Sequence, residues 1–218
     1  MEQFLCWLAK KYHIIFILSI AIYLLGAFLV PLFFYFNLEL PANLLNAFYR
    51  KTCHQFAYRT WFLFGKQPFY PLASAGMHGF NSYEESTGFM REEMLNAREL
   101  IGDEVIGFKV ALCQRDIAIF GALLLSGILF ALSQKRWEPL SLLLWICLGI
   151  LPIAVDGVSQ LLGNSGCPFL SFFPVRESNP IMRTLTGALF GFTTGAYLLP
   201  RLEVSFTILR ENYRCEEN

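Results

Sequence analysis

Charge is scarce in this sequence, and that alone narrows the class of protein. Asp, Glu, Lys and Arg make up 16% of the 218 residues against 55% hydrophobic ones, with a mean hydropathy of +0.46. So apolar a chain is not an ordinary soluble domain and fits one multi-pass membrane domain over 1–218. A basic excess is also missing, since 17 Lys and Arg balance 17 Asp and Glu, and nucleic-acid binding loses its electrostatic footprint. The expected partners are the lipid bilayer and a small anionic or lipid-linked molecule. No Cys-x-x-Cys pair occurs among Cys6, Cys53, Cys113, Cys147, Cys167 and Cys215, which argues against thioredoxin-type chemistry. Walker A, Gly-x-Ser-x-Gly and His-Glu-x-x-His patterns are absent as well, which removes the readily recognised nucleotide-binding, hydrolase and zinc-peptidase readings.

What is present is a series of long apolar runs, each near the roughly 20 residues that cross a bilayer. They predict an all-α membrane protein, a bundle of four transmembrane helices over 14–36, 110–132, 140–162 and 181–199. Between the first two spans, 43–65 carries apolar residues at helical spacing interrupted by Arg50, Lys51, His54, Gln55 and Arg59, and predicts an amphipathic helix at the interface. The polar insertion 66–109 predicts a small extramembrane helical cap, entered by a capping box at Ser82 and Glu85. Pro31 is expected to bend the first span or mark its exit. The abundant Phe residues, 22 in number, read as packing and lipid contact and carry no functional weight.

Gly187, Gly191 and Gly195 recur every fourth residue, a spacing that lets another helix approach closely, and the same stripe runs back to Arg183 and Asn179. Oligomerisation stands beside this as an open expectation. In the third span Gly149, Ile153, Asp156 and Gln160 share about one face, with Pro152 one turn before the Asp. With four crossings, parity gathers the start of the second span, the end of the third, the start of the fourth and segment 43–65 at one membrane face. Lys10-Lys11, Lys135-Arg136 and Arg201 flank the opposite face, so the positive-inside rule predicts an integral inner-membrane protein with cytoplasmic termini. Cys53, Cys113 and Cys167 would then lie in a disulfide-permissive compartment, and Cys6 and Cys215 in a reducing one.

Four motifs stand at the gathered face: Cys-His-Gln at 53–55, Cys-Gln-Arg-Asp at 113–116, Asp-Gly-x-x-Gln at 156–160 and Glu-Ser-Asn-Pro-x-x-Arg-x-x-Thr-Gly at 177–187. Together, over roughly 43–191, they resemble an uncharacterised family of bacterial and archaeal integral membrane proteins, a domain of unknown function. The resemblance implies the membrane class and the motif positions and brings no activity with it. Relatives with Cys where this chain has Asp116 imply that a ligand-type side chain is kept there.

Cys53, His54, Cys113 and Asp116 offer thiolate, imidazole and carboxylate, which suit zinc or another transition metal. A Cys53–Cys113 disulfide and inert buried thiols are the alternatives. Arg115, Asp156, Glu177 and Arg183 read either as ion pairs that keep charge tolerable beside lipid or as a catalytic group in which the arginines clamp an anion and Asp156 acts as ligand or base. Gln160, Asn179 and Gln55 would orient the substrate. His13 and His78 are expected to be interfacial and solvated. The leading reading is a membrane-interface enzyme or binding protein for an anionic or lipid-linked substrate, metal-assisted. A small-solute transporter or channel and a quinone-coupled thiol oxidoreductase are the other two.

Overall fold

A computed structural model describes residues 2–90, 93–164, 177–213 and 215. Cys167, and with it the expectation for its compartment, lies outside the described residues. The chain is mostly helical. Helix α1 runs Glu2–Tyr35 with Pro31 inside it, and α2 runs Glu39–Tyr49. Two short helices follow, α3 at Tyr83–Thr87 and α4 at Met94–Glu99, and then α5 at Gln114–Leu132. The third apolar run is α6 at Leu142–Trp145, a wide π turn at Ile146–Ile150 and α7 at Leu151–Asn164, and α8 closes the chain over Pro180–Asn212.

A small sheet is the main departure from the all-helical expectation. Strand β1 is Thr60–Leu63, β2 Gly102–Asp103 and β3 Gly107–Cys113, antiparallel in the order β1-β3-β2. The helical reading of 43–65 therefore holds only through Tyr49, after which a turn and a single 3₁₀ turn at Ala57–Arg59 lead into β1. Likewise the apolar stretch expected to begin a span at 110 is strand up to Cys113. Val110, Ala111 and Leu112 are fully buried, so β3 is covered on both faces and shows no alternation to distinguish it from the helix it adjoins. Asp103 shapes the β2–β3 turn by accepting hydrogen bonds from the amides of Val105 and Ile106. Gly107, with φ at +83°, closes it where a Cβ would meet the Leu63 carbonyl oxygen at 2.5 Å.

The insertion has its own core of Tyr58, Phe62, Tyr70, Leu72, Tyr83 and Ile106, and the capping box at Ser82 and Glu85 is formed. A second core joins the sheet to α1 and α2 through Ala27, Val30, Tyr49 and Val110 to Leu112.

Among the described residues three helices are long and apolar enough to cross a membrane: α1, α5 and the run from Leu142 to Leu162. The fourth expected span lies in α8, which is not among them, because its inner face is built of Gly and Thr rather than of large apolar residues. That composition serves packing. A Cβ at Gly187 would meet the Arg115 carbonyl oxygen at 2.7 Å, and one at Gly191 the Ile119 carbonyl oxygen at 2.2 Å. Pairing 187 with 115 and 191 with 119 makes α5 and α8 parallel. Trp145 stacks on Tyr197 and Gly149 abuts Thr193, so the α6–α7 run is antiparallel to α8. At the far end α1 meets α8 where Tyr12 stacks on Phe206, and Cys6 is joined to Cys215 by a disulfide.

Candidate functional site

The site forms where β3 passes into α5. Cys113 is the N-cap of α5, its sulfur accepting from the Asp116 amide at 3.4 Å, so Cys113 and Asp116 meet through the cap rather than as two positions on one helical face. Cys53 reaches the same point from the turn after α2. Two buried side chains hold that turn against β3: Gln55 donates to the Ala111 carbonyl at 2.8 Å, and Lys109 donates to the Gln55 carbonyl at 2.8 Å. Gln55 itself has φ at +54°, an uncommon conformation for a side chain without Asn or Gly character, and it is kept there by these bonds. Gln114 ties the first turn of α5 to the Thr60 carbonyl at 3.0 Å. Cys53 Sγ, Cys113 Sγ and an Asp116 carboxylate oxygen consequently lie within 4.8 Å of one another.

Both cysteines are free thiols, so the alternative disulfide between them is not formed. Hydrogen bonding between the two thiols holds Cys53 below the usual thiol range, against the effect of its burial, and raises Cys113 well above it. His54, expected as a ligand, is exposed and stacked on Phe56 at 5.8 Å between ring centroids. Neighbouring residues in an extended turn point apart, and His54 stands outside the close trio.

A cavity of about 270 Å³ opens over these groups, lined by Cys53, Cys113 and Asp116 and by Arg59, Arg115 and Arg183. The arginines are supplied with counter-charge from behind. Asp156, 2% exposed, pairs with Arg115 and accepts from the Ser178 hydroxyl at 2.8 Å. Glu177 accepts two bonds from Arg59, Nε to Oε1 at 2.8 Å and Nη2 to Oε2 at 3.1 Å, and further bonds from Arg183 and Gln160. Burial would raise the Glu177 carboxyl, but the Arg59 hydrogen bonds and the two guanidinium charges outweigh it and hold the carboxyl below its ordinary value. Asp116, by contrast, forms no ion pair among the described residues. The buried Arg115 Nε has no acceptor among them either.

Of the residues singled out from sequence, the cavity is lined by Cys53, His54, Gln55, Cys113, Arg115, Asp116, Gln160 and Arg183. Asp156 and Glu177 stand behind it as partners of the arginines, and Asn179 caps α8 by accepting from the Met182 amide at 2.8 Å. Sequence reasoning gave no site role to Arg59, Ser178 or Lys109. Arg59 sat among residues taken to interrupt an interfacial helix, and only the strand that follows it turns it towards Glu177.

No solved structure matches the chain. It is similar to an uncharacterized protein of Methanocaldococcus jannaschii, 26% identical over 204 residues that cover 88% of this chain and 92% of that one. Residues 104–197, from the turn before β3 to well inside α8, match the model of the family described as predicted membrane protein DUF2085.

Proposed function

We propose that the cavity is a metal-assisted binding site for a small anionic group, in which Cys53, Cys113 and Asp116 hold one zinc or similar transition-metal ion. The observation that carries this reading is the trio of ligand atoms within 4.8 Å in a cavity ringed by arginines. Two ligands on a tetrahedral zinc, with bonds of about 2.0 to 2.3 Å, sit roughly 3.5 to 3.8 Å apart, so a small inward shift of each side chain completes the arrangement. Three protein ligands leave one position open, as in zinc sites that bind water or substrate rather than in closed structural ones. Asp116, without an ion pair, gains a counter-charge from the metal. An oxygen of the anion would take the open position, and the buried Arg115 Nε is a donor with no acceptor among the described residues that a second oxygen would meet. Asp156 and Glu177 act here as holders of Arg115, Arg59 and Arg183, while Gln55 and Gln160 shape the wall.

Metal analysis of the purified protein tests this. Wild type should carry about one transition-metal ion per chain, and Cys113→Ser and Asp116→Asn should each lose most of it while remaining folded. A metal-free wild type, or variants that keep the ion, would refute the site.

In the same reading α8 is a fourth span, since it runs parallel to α5 along the glycine contacts. The charge flanks support cytoplasmic termini and a cavity on the outer side. One observation favours the reverse: the Cys6–Cys215 disulfide is of a kind that persists in oxidising compartments, whereas the cavity thiols are free.

A further inference from the structure

A second hollow lies beside the first. Between α1 and α2 runs an apolar groove of about 570 Å³, walled by Ile22, Leu25, Leu29, Leu45 and Phe48. Its α1 side extends from Ser19 to Leu29, about 15 Å at 1.5 Å per residue. Ile22, Leu25 and Phe48 are exposed at its rim. The groove and the polar cavity share a wall. Tyr23 lines the groove and donates its hydroxyl to Thr52 Oγ1 at 3.0 Å, and Thr52 lines the cavity. The other tyrosine of the groove, Tyr49, turns its hydroxyl onto the Tyr23 carbonyl at 2.5 Å, which leaves the wall apolar up to that junction.

We propose that the two hollows form one site for a lipid with a phosphate head, the alkyl chain in the α1–α2 groove and the head in the cavity. This rests on the reading of the cavity as an anion site and names the substrate class. Apart from the Ser19 hydroxyl at one end, the groove offers dispersion and hydrophobic burial rather than hydrogen bonds, so it suits a hydrocarbon chain and not a peptide, whose backbone polar groups would go largely unmet. The cavity is lined by three guanidinium groups held from behind by Asp156 and Glu177, and the N–H donors not spent on those carboxylates, the buried Arg115 Nε among them, suit phosphate oxygens. Charge complementarity at one end and apolar lining at the other, meeting at Tyr23 and Thr52, is the pattern an amphiphile requires. Entry is sideways, from the leaflet that contacts α1.

Binding of three probes to purified protein in detergent separates the parts: hexadecyl phosphate, hexadecanol and inorganic phosphate. Hexadecyl phosphate should bind at least tenfold more tightly than either of the others. Ile22→Trp, which places a large ring in the groove from an exposed position, should weaken hexadecyl phosphate at least tenfold and leave inorganic phosphate unchanged. Arg59→Gln should weaken both phosphates. Equal binding of hexadecanol and hexadecyl phosphate would show chain adsorption only, and unchanged hexadecyl phosphate binding by Ile22→Trp would place the chain elsewhere; either result overturns the proposal while the metal content and inorganic phosphate binding of wild type still report on the cavity. Failure of wild type to bind inorganic phosphate or hexadecyl phosphate would sink the anion reading and the lipid proposal together.

Discussion

Arg59 and Glu177, 118 residues apart, meet through two hydrogen bonds of 2.8 and 3.1 Å, so that the 3₁₀ turn before β1 is fastened to the approach of α8. Such a fork holds direction as well as distance, because both guanidinium edges must be matched at once. It also means that Glu177 serves two arginines, of which Arg183 is the more deeply buried.

Glu177→Gln should therefore be the more damaging change at this pair. It leaves the Arg183 charge buried without a counter-charge, at a cost of about 3 to 5 kcal/mol. Arg59→Gln removes a side chain that is 30% exposed and leaves Glu177 with Arg183 and Gln160, so a cost of about 1 to 2 kcal/mol is expected. Thermal denaturation in detergent ranks the two, and the opposite order would mean that Arg59 is the anchor of the network.

Gly191→Leu should destabilise by at least about 2 kcal/mol, since even a Cβ there would press on the Ile119 carbonyl 2.2 Å away and a Leu must part α5 from α8. Phe192→Leu, one residue on and 37% exposed, should cost less than half as much. Equal losses in melting temperature would show that the glycine face is not a tight interface.

Lys109 predicts a pH dependence. It is 3% exposed, and burial first, then the neighbouring charge of Arg50, lowers its pKa from 10.5 to about 7, with Cys53 opposing and Arg98 adding to the fall. Its two acceptors, the carbonyls of Gln55 and Arg98, can both be served by the two N–H groups of a neutral amine. Between pH 7 and 10.5 the unfolded chain carries a proton here that the folded chain does not, so stability should rise with pH across that window. The slope from this group is up to about 1.4 kcal/mol per pH unit. Lys109→Met should lose the slope; a wild type whose melting temperature falls from pH 7 to 9 would contradict the assignment.

Orientation is decided by the state of Cys6 and Cys215 in cells. With the termini in the cytoplasm, as the Lys10-Lys11 and Lys135-Arg136 flanks predict, both thiols should be reduced and should take up a membrane-permeant maleimide before any reductant is added. Labelling only after reduction would put the terminal face in an oxidising compartment and the cavity in the cytoplasm.

Much of this was legible in sequence because it depends on local pattern. The apolar lengths of α1 and α5, the Ser82 and Glu85 capping box and the four-residue glycine spacing all report on neighbours within a few turns. β3 was hidden because Val110 to Leu112 is buried on both faces and runs without a break into the apolar α5, so period and length gave no strand signal. The fork between Arg59 and Glu177 was hidden for another reason. It depends on where β1 sends the chain, and no spacing in the sequence encodes that. The gathering of the four motifs was expected from the parity of four crossings, a count of which three candidate spans are found among the described residues, and the division of labour inside the cluster, with Asp116 in the cavity and Asp156 behind Arg115, needed the side chains.

The wide turn at Ile146–Ile150 sets the rotational phase of everything after it. Pro152 has no amide to give to the turn before it and its ring crowds the carbonyl there, a conflict that a wider turn relieves. One residue of a regular helix corresponds to about 100° of rotation and 1.5 Å of rise. Deleting a single residue within that turn would leave the third apolar run nearly as long and as greasy as before, yet it would swing Asp156 a quarter-turn or more off the azimuth at which it meets Arg115. The bilayer would accept such a chain; the cavity would lose the clamp on its arginine.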